Sequence, residues 1–369
     1  MKKENYLIGT TVPFTPPEIV INEYGKTEKC IKQMKEAELN IVRHYGRFPF
    51  ADETMTELSQ DYIEFRDSVR KYASYGIGTL GMILNPGQMG SDSKGNVSYL
   101  RQYPDWMGPT DQDYYYEVLA KATEFVAYDL KDDITYWQIG NEQDMKTFIG
   151  DLTIEQNERW MNVAAQAVKK GNSNALCGTN FAGTNDYMTE QSISGYTKEL
   201  VNKLYGCPDS VYDFIGLDGY FGSWVPGGTG DWKKYIDEAY EISRKPVLIQ
   251  EWGYSTLQQG NPRTPEDKDR FFNTVVCREK SWGADSKHRW KGLPHSEETQ
   301  CDYIRECAKL FYEHPHCMGQ MFFQWQDQAN CWQCGAPDCP AECAWGCVRV
   351  DGTPKSGYYA LKEVNQIYK

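Results

Sequence analysis

Two glutamates, Glu142 and Glu251, stand at matching places in two distant segments of the 369-residue chain. Tyr136, Trp137 and Ile139 form a short apolar run that breaks at Gly140-Asn141-Glu142, and Pro246 to Ile249 lead in the same way to Gln250-Glu251. Each run has the length and composition of a buried strand, so each delivers one ionisable carboxyl at its carboxyl end. A carboxylate carried there is costly unless a partner neutralises it or a site uses it. Two such carboxyls facing one another can divide the labour of splitting a glycosidic bond. One donates a proton to the departing oxygen; the other attacks or stabilises the carbon left behind. Arg43, ending the apolar run from Leu39, is a cation suited to keep the attacking carboxyl ionised, and Tyr220, after Phe214 to Leu217, is a hydrogen-bond donor for it. The competing reading makes each glutamate a core carboxylate satisfied by an arginine, Arg43 a structural ion pair and Tyr220 an ordinary aromatic.

The elements that must hold these residues recur in order. Asn5–Thr11, Leu39–Arg43, Gly78–Leu84, the run before Glu142, Ala175–Asn180, Phe214–Leu217, the run before Glu251 and Gly319–Trp325 read as eight strands. Apolar residues at helical spacing predict helices over Lys26–Glu38, Asp61–Tyr75, Asp113–Leu130, Ile154–Lys170, Tyr196–Tyr205, Trp232–Ser243, Thr299–Tyr312 and Gly357–Tyr368. Strands alternating with helices, without one long linker, predict an α/β fold: a single (β/α)8 TIM barrel covering residues 1–369. Two segments decorate it, an extended connection after strand seven (252–298) and a cysteine-rich loop after strand eight (326–353). The polar, glycine-rich stretch 87–110 is too long for a plain connector and is a candidate functional loop. A doubly wound open sheet is the rival fold, but no glycine-rich turn follows the first strand. P-loop, Gly-x-Ser-x-Gly and His-Glu-x-x-His motifs are all missing from the sequence.

Composition narrows the partners. A formal net charge of −13 disfavours nucleic acid and anionic membranes, and no apolar run is long enough to span a bilayer. The 26 tyrosines and 11 tryptophans suit the flat apolar faces of sugars, though a large core also uses such rings. With only five histidines, a histidine-built metal centre has little material. The amino-terminal residues hold no apolar leader core, so the cytoplasm is the expected location, with secretion after loss of a signal peptide as the alternative. Twelve cysteines complicate that expectation. Cys331, Cys334, Cys339, Cys343 and Cys347 crowd together; the first four are candidate ligands of a structural zinc, and disulfides are an equal alternative. No surface stripe marks an oligomer contact.

These residues carry a resemblance. Trp137 to Glu142 resembles the Trp-x-x-x-Asn-Glu signature at strand four of clan A glycoside hydrolases, and Lys245 to Gly253 is similar to that clan's strand-seven segment. Asn40 to Arg43 matches its strand-two arginine, and Asp218-Gly219-Tyr220 resembles its strand-six Asn-x-Tyr with aspartate in place of asparagine. Gly352 to Lys355 and Tyr358 to Leu361 resemble a common ending of these enzymes. Gln143 stands where family 5 usually has proline, which leaves families 2, 39 and 42 beside it; the sandwich domains typical of family 2 have no counterpart here.

The resemblance implies a retaining β-glycosidase with Glu142 as acid/base and Glu251 as nucleophile. Asn141 would bind the hydroxyl next to the anomeric carbon, and Trp325 would lie under the sugar. Arg43, His44, Asn85, Tyr220 and Trp224 complete the expected subsite. The substrate is a glycoside or oligosaccharide, catalysis needs no cofactor, and any zinc is structural. Two other classes compete: a barrel that binds carbohydrate without turning it over, and a metal-dependent barrel enzyme. The latter wants acidic ligands on adjacent strand ends, where strand five offers Asn180.

Overall fold

A strand inside an α/β barrel is covered on both sides, and that is the burial seen along β1 (Leu7–Thr11), β2 (Ile41–Tyr45), β3 (Gly78–Ile83) and β4 (Tyr136–Ile139) of the computed structural model. The structure describes residues 3–15, 20–91, 97–183, 191–257, 289–331, 339 and 342–369. β5 (Leu176–Gly178), β6 (Ile215–Gly219), β7 (Val247–Trp252) and β8 (Cys317–Phe322) complete the set. All pair in parallel: β1 to β5 follow one another, and β6, β7 and β8 lead back to β1. Two single bridges, Gly178 to Phe214 and Phe181 to Leu217, join β5 to β6 and close the ring.

Alternation along each strand sorts the side chains. Leu7, Ile41, Leu80, Phe214, Leu248 and Met321 fill the interior. Ile8, Val42, Trp137, Cys177, Ile215, Ile249 and Trp252 face outward into a larger apolar layer that runs from Tyr6 to Val364. Its other half comes from eight helices: α1 (Glu28–Glu36), α2 (Gln60–Ser74), α3 (Asp113–Asp129), α4 (Ile154–Gly171), α5 (Gly195–Tyr205), α6 (Asp231–Ser243), α7 (Glu297–Glu313) and α8 (Ser356–Tyr368). Each large apolar side chain buried between the layers contributes about 1.5–3 kcal/mol. Thr27, Ser59, Thr153 and Ser296 cap α1, α2, α4 and α7, and Thr153 forms a reciprocal box with Gln156. These caps fix where each connecting loop ends and its helix begins.

The strands and helices fall where the apolar periodicity puts them. The glycine-rich stretch 87–110 does not stay a loop. Gly87–Ser91 pairs antiparallel with Val97–Arg101, and a single 3-10 turn follows at Asp105–Met107. A smaller hairpin, Phe14–Thr15 with Val20–Ile21, follows β1. Of the extended segment 252–298, residues 258–288 lie outside the described residues, while Trp290 is buried in the apolar layer. No described helix is long and apolar enough to cross a membrane.

Candidate active site

Both glutamates stand at the carboxyl ends of their strands, near enough for the charge of Glu251 to act on Glu142. Strict alternation would send Gln250 and Glu251 to opposite faces of β7, but the register slips there on both sides: Leu217 pairs with Ile249 and Asp218 with Glu251, and against β8 the slip lies between Ile249 and Trp252. Gln250 therefore points inward, where Gly216 has no Cβ to obstruct its amide, and Glu251 also reaches the barrel mouth. Arg43, fully buried on β2, donates from Nη1 to Glu251 Oε1 at 2.6 Å. Tyr220 donates its hydroxyl to Glu251 Oε2 at 2.5 Å. Both carboxylate oxygens thus accept a hydrogen bond, one of them charge-assisted. Arg43 is fixed in turn: Nε donates to Gln138 Oε1 at 2.7 Å, Nη2 donates to Asn141 Oδ1, and its guanidinium lies 5.5 Å from the Tyr45 ring centre.

Glu142 leaves β4 through a turn that needs left-handed backbone at Gly140 (φ 72°) and at Glu142 itself (φ 43°). A non-glycine residue in that region is strained unless its surroundings hold it. Here they do. The Glu142 amide donates to Asn180 Oδ1 at 2.6 Å, the Asn141 amide to Asn85 Oδ1 at 2.6 Å, and Asn85 Nδ2 returns a bond to the Asn141 carbonyl at 3.0 Å. Burial, followed by the negative charges of Asp218 and Glu251, raises the Glu142 carboxyl well above the ordinary carboxylate range; Arg43 opposes this.

Two further carboxyls belong to the same cluster. Asp218, at the end of β6, is fully buried, accepts from Asn180 Nδ2 at 2.7 Å through Oδ1, and has no hydrogen-bond partner among the described residues at Oδ2. Burial and the Glu251 charge push it well above its usual range. Asp144 accepts from the amides of Ala182 (2.9 Å) and Gly183 (2.8 Å) and from the Thr197 hydroxyl (2.7 Å), and burial raises it to about 6.

The remaining subsite expectations divide. Trp224 stands beside Tyr220, with ring centres 5.4 Å apart, and Trp345 from the cysteine-rich loop packs edge-on to Tyr220 at 4.9 Å. Asn85 is a brace for Asn141 and Gln143. His44 faces away: alternation that turns Arg43 inward turns its neighbour out, where it meets Ser68 Oγ at 3.1 Å and the edge of Phe65. Burial lowers its imidazole to about 3, so it is neutral. Trp325 is not under the site either; it lies past the end of β8, donates to the Tyr24 hydroxyl at 3.2 Å and packs on Tyr358 of α8. Cys331, Cys339, Cys343 and Cys347 are buried in the loop after β8, and Cys334 lies outside the described residues. Among the described residues, no group of three or more His, Cys, Asp and Glu stands together as a metal site.

Sequence reading missed Trp345, Asn180, Gln138 and Gln250 as parts of this cluster. Asn180 carried a signal, a polar residue ending an apolar strand just as Glu142 does; Trp345 sits in an irregular loop with no periodicity to place it. A cavity of about 620 Å³ opens between the hairpin after β1 and residues 326–330, lined by Phe14, Asn22, Tyr24, Gln326, Gln328 and Asn330 among others. Phe14 connects it to the barrel mouth, packing edge-on to Tyr45 at 5.2 Å.

No family model matches the chain. Over 173 residues it is 26% identical to a rice (Oryza sativa subsp. japonica) protein named "Putative mannan endo-1,4-beta-mannosidase 9", a stretch covering 43% of this chain and 40% of that one. Among solved structures it resembles the Ignisphaera aggregans GH53 catalytic domain (TM-score 0.63, 17% identity, 99% of this chain and 97% of that one). It also resembles a family 39 glycoside hydrolase from Bacteroides cellulosilyticus (TM-score 0.62, 14% identity, 99% and 65%). A third is a β-glucuronidase from an uncultured Clostridium (TM-score 0.61, 14% identity, 99% and 51%), of which the chain spans about half. The barrel fold of this chain is the one these glycoside hydrolases share.

Proposed function

We propose that the chain is a retaining glycoside hydrolase acting on β-linked sugars, with Glu251 as nucleophile and Glu142 as acid/base. Glu251, held by Arg43 and Tyr220, attacks the anomeric carbon as the Glu142 carboxyl gives its proton to the leaving oxygen. The bond to the aglycone breaks and a glycosyl ester forms on Glu251. Glu142, now a carboxylate, takes a proton from water, which cleaves the ester with retention of configuration. Asn141, already bonded to Arg43, is placed to hold a sugar hydroxyl, and Tyr220, Trp224 and Trp345 supply aromatic walls. The reaction draws on no cofactor.

The observation that carries this reading is the division of labour between the carboxyls: Glu251 accepts two donors, while Glu142 is braced through its backbone and raised by burial and charge. The cavity beside the mouth, where Asn22, Gln326, Gln328 and Asn330 stand among apolar, aromatic and charged neighbours, has room for further sugar units and favours an oligosaccharide. The rice relative's name puts β-1,4-mannan on the panel of substrates to test. Proton NMR of the first product from aryl β-glycosides and β-oligosaccharides decides the mechanism: the β-anomer appears first, and Glu251→Ala abolishes turnover. Initial release of the α-anomer, or turnover that survives Glu251→Ala, refutes it.

A further inference from the structure

The charge balance at the barrel mouth leaves one carboxyl unaccounted for. Among the described residues, Glu142, Asp218 and Glu251 share a buried space with a single guanidinium, Arg43, and the three nitrogens of Arg43 are committed to Gln138, Glu251 and Asn141. Asp218 receives none of them. Among the described residues its side chain accepts a bond from Asn180 alone, through one oxygen, and the second oxygen is buried with no hydrogen-bond partner. A bare carboxylate in that position would be expensive, whereas a residue bought only for packing would not carry an acid at all. Asn180 is a hub: Nδ2 serves Asp218 at 2.7 Å and Gln250 at 2.5 Å, Oδ1 takes the Glu142 amide at 2.6 Å, and its carbonyl takes the Gln143 amide at 3.1 Å. Asp218 therefore reaches Glu142 both through a two-step bond path and through space.

We propose that Asp218 is a positioning residue for the acid/base: through Asn180 it steadies the strained Glu142 turn, and its carboxyl forms with Glu142 a coupled pair in which ionisation of Asp218 keeps the proton on Glu142. This rests on the role assigned to Glu142 above. Two buried like charges cannot form together, so whichever carboxyl ionises first holds the proton on the other. An asparagine at 218 would supply the same acceptor to Asn180 without that charge; the acid is what adds control over pH. Glu251 of β7, Arg43 from β2 and Asp144 after β4 act on Asp218, and Asp218 in turn acts on Glu142 after β4, Tyr45 from β2, Tyr220 after β6 and Tyr235 of α6. Arg43 is the one cation among them, and it favours ionisation of Asp218; Glu251 opposes it.

Profiles of kcat/KM against pH for wild type and Asp218→Asn, on one aryl β-glycoside, test the coupling. Removing the charge lets Glu142 lose its proton sooner, so the alkaline limb moves down by on the order of one pH unit. A limb that stays in place while the whole rate falls is the mark of a purely structural residue and overturns the proposal, as does a limb that moves upward. Carbon-13 NMR of carboxyl-labelled protein gives a readout that needs no turnover. With Glu142 assigned by its loss in Glu142→Gln and Asp218 by its loss in Asp218→Asn, the Glu142 titration must shift down in Asp218→Asn, while Asp218, which ionises with Glu142 still protonated, hardly moves in Glu142→Gln. A Glu142 titration that stays in place in Asp218→Asn overturns the proposal even if the protein is an active glycosidase. A downward shift of Glu142 in Asp218→Asn without hydrolysis of any β-glycoside upholds the pair and refutes the enzymatic reading instead.

Discussion

Arg43 concentrates more of the site's geometry than any other side chain described. It bonds Glu251, Asn141 and the inner Gln138 from one rigid fork. Arg43→Lys keeps the charge but offers a point donor on a flexible stem, so it cannot serve all three acceptors at once. The expected outcome is a fall in kcat of on the order of 10²-fold or more with a folded protein, read from steady-state kinetics beside circular dichroism. Arg43→Ala goes further: it strands Glu251 in a buried site, and urea unfolding should show a loss of about 3–5 kcal/mol. Tyr220→Phe removes a single donor from Glu251 Oε2, and kcat should drop by about 10²-fold while stability changes little. The inward residues were legible from their strand ends, and His44 could have been excluded on the same grounds, because a neighbour of an inward Arg43 must point outward. Trp345 was not legible. Its place against Tyr220 comes from a loop path that no local pattern encodes.

The element that follows β5 depends on one carboxylate. Asp144 ties the amides of Ala182 and Gly183 to Thr197 at the start of α5, so a single side chain orders the loop and seats the helix. Its folded-state value of about 6 lies above that of an unfolded aspartate, so the folded chain takes up this proton more readily. The sign follows. Between pH ~4 and ~6 this group adds stability as the pH falls, and that contribution is lost as the pH rises through the window. Over two pH units the effect is bounded at about 2–3 kcal/mol. Urea unfolding of wild type and Asp144→Asn at several pH values isolates it: the difference in stability between the two should change across the window and level off above pH ~7. Parallel curves would remove Asp144 as the source. Element positions themselves were readable because strand and helix impose different apolar periods. The hairpin over Gly87–Ser91 and Val97–Arg101 was not, since its first strand is rich in glycine and polar residues and owes its form to cross-strand pairing.

Closure is a property of the whole ring, and no strand's own composition reveals where it is weakest. Seven of the eight contacts are multi-residue ladders; the eighth, between the three-residue β5 and β6, consists of two isolated bridges. Side chains supply what the backbone lacks there. Asn180 crosses the seam to Asp218 and continues to Gln250, and the same Asn180 anchors Glu142. The seam is thus also the support of Glu142, the proposed acid/base, and the two should fail together. Native-state hydrogen exchange can see this. The amides of Phe181 and Asp218, which donate across the seam to the carbonyls of Gly216 and Phe181, should open at lower free energy than amides in the β1–β2 ladder. Asn180→Ala removes the lacing without touching β1 or β2, so it should lower the opening free energy at the seam by about 1–3 kcal/mol and leave the ladder's relative protection in place. It should also cut kcat, because the Glu142 turn loses the acceptor of its amide. If Asn180→Ala weakened protection evenly around the ring, the barrel would be opening as one unit, and neither the local seam nor its link to Glu142 would stand.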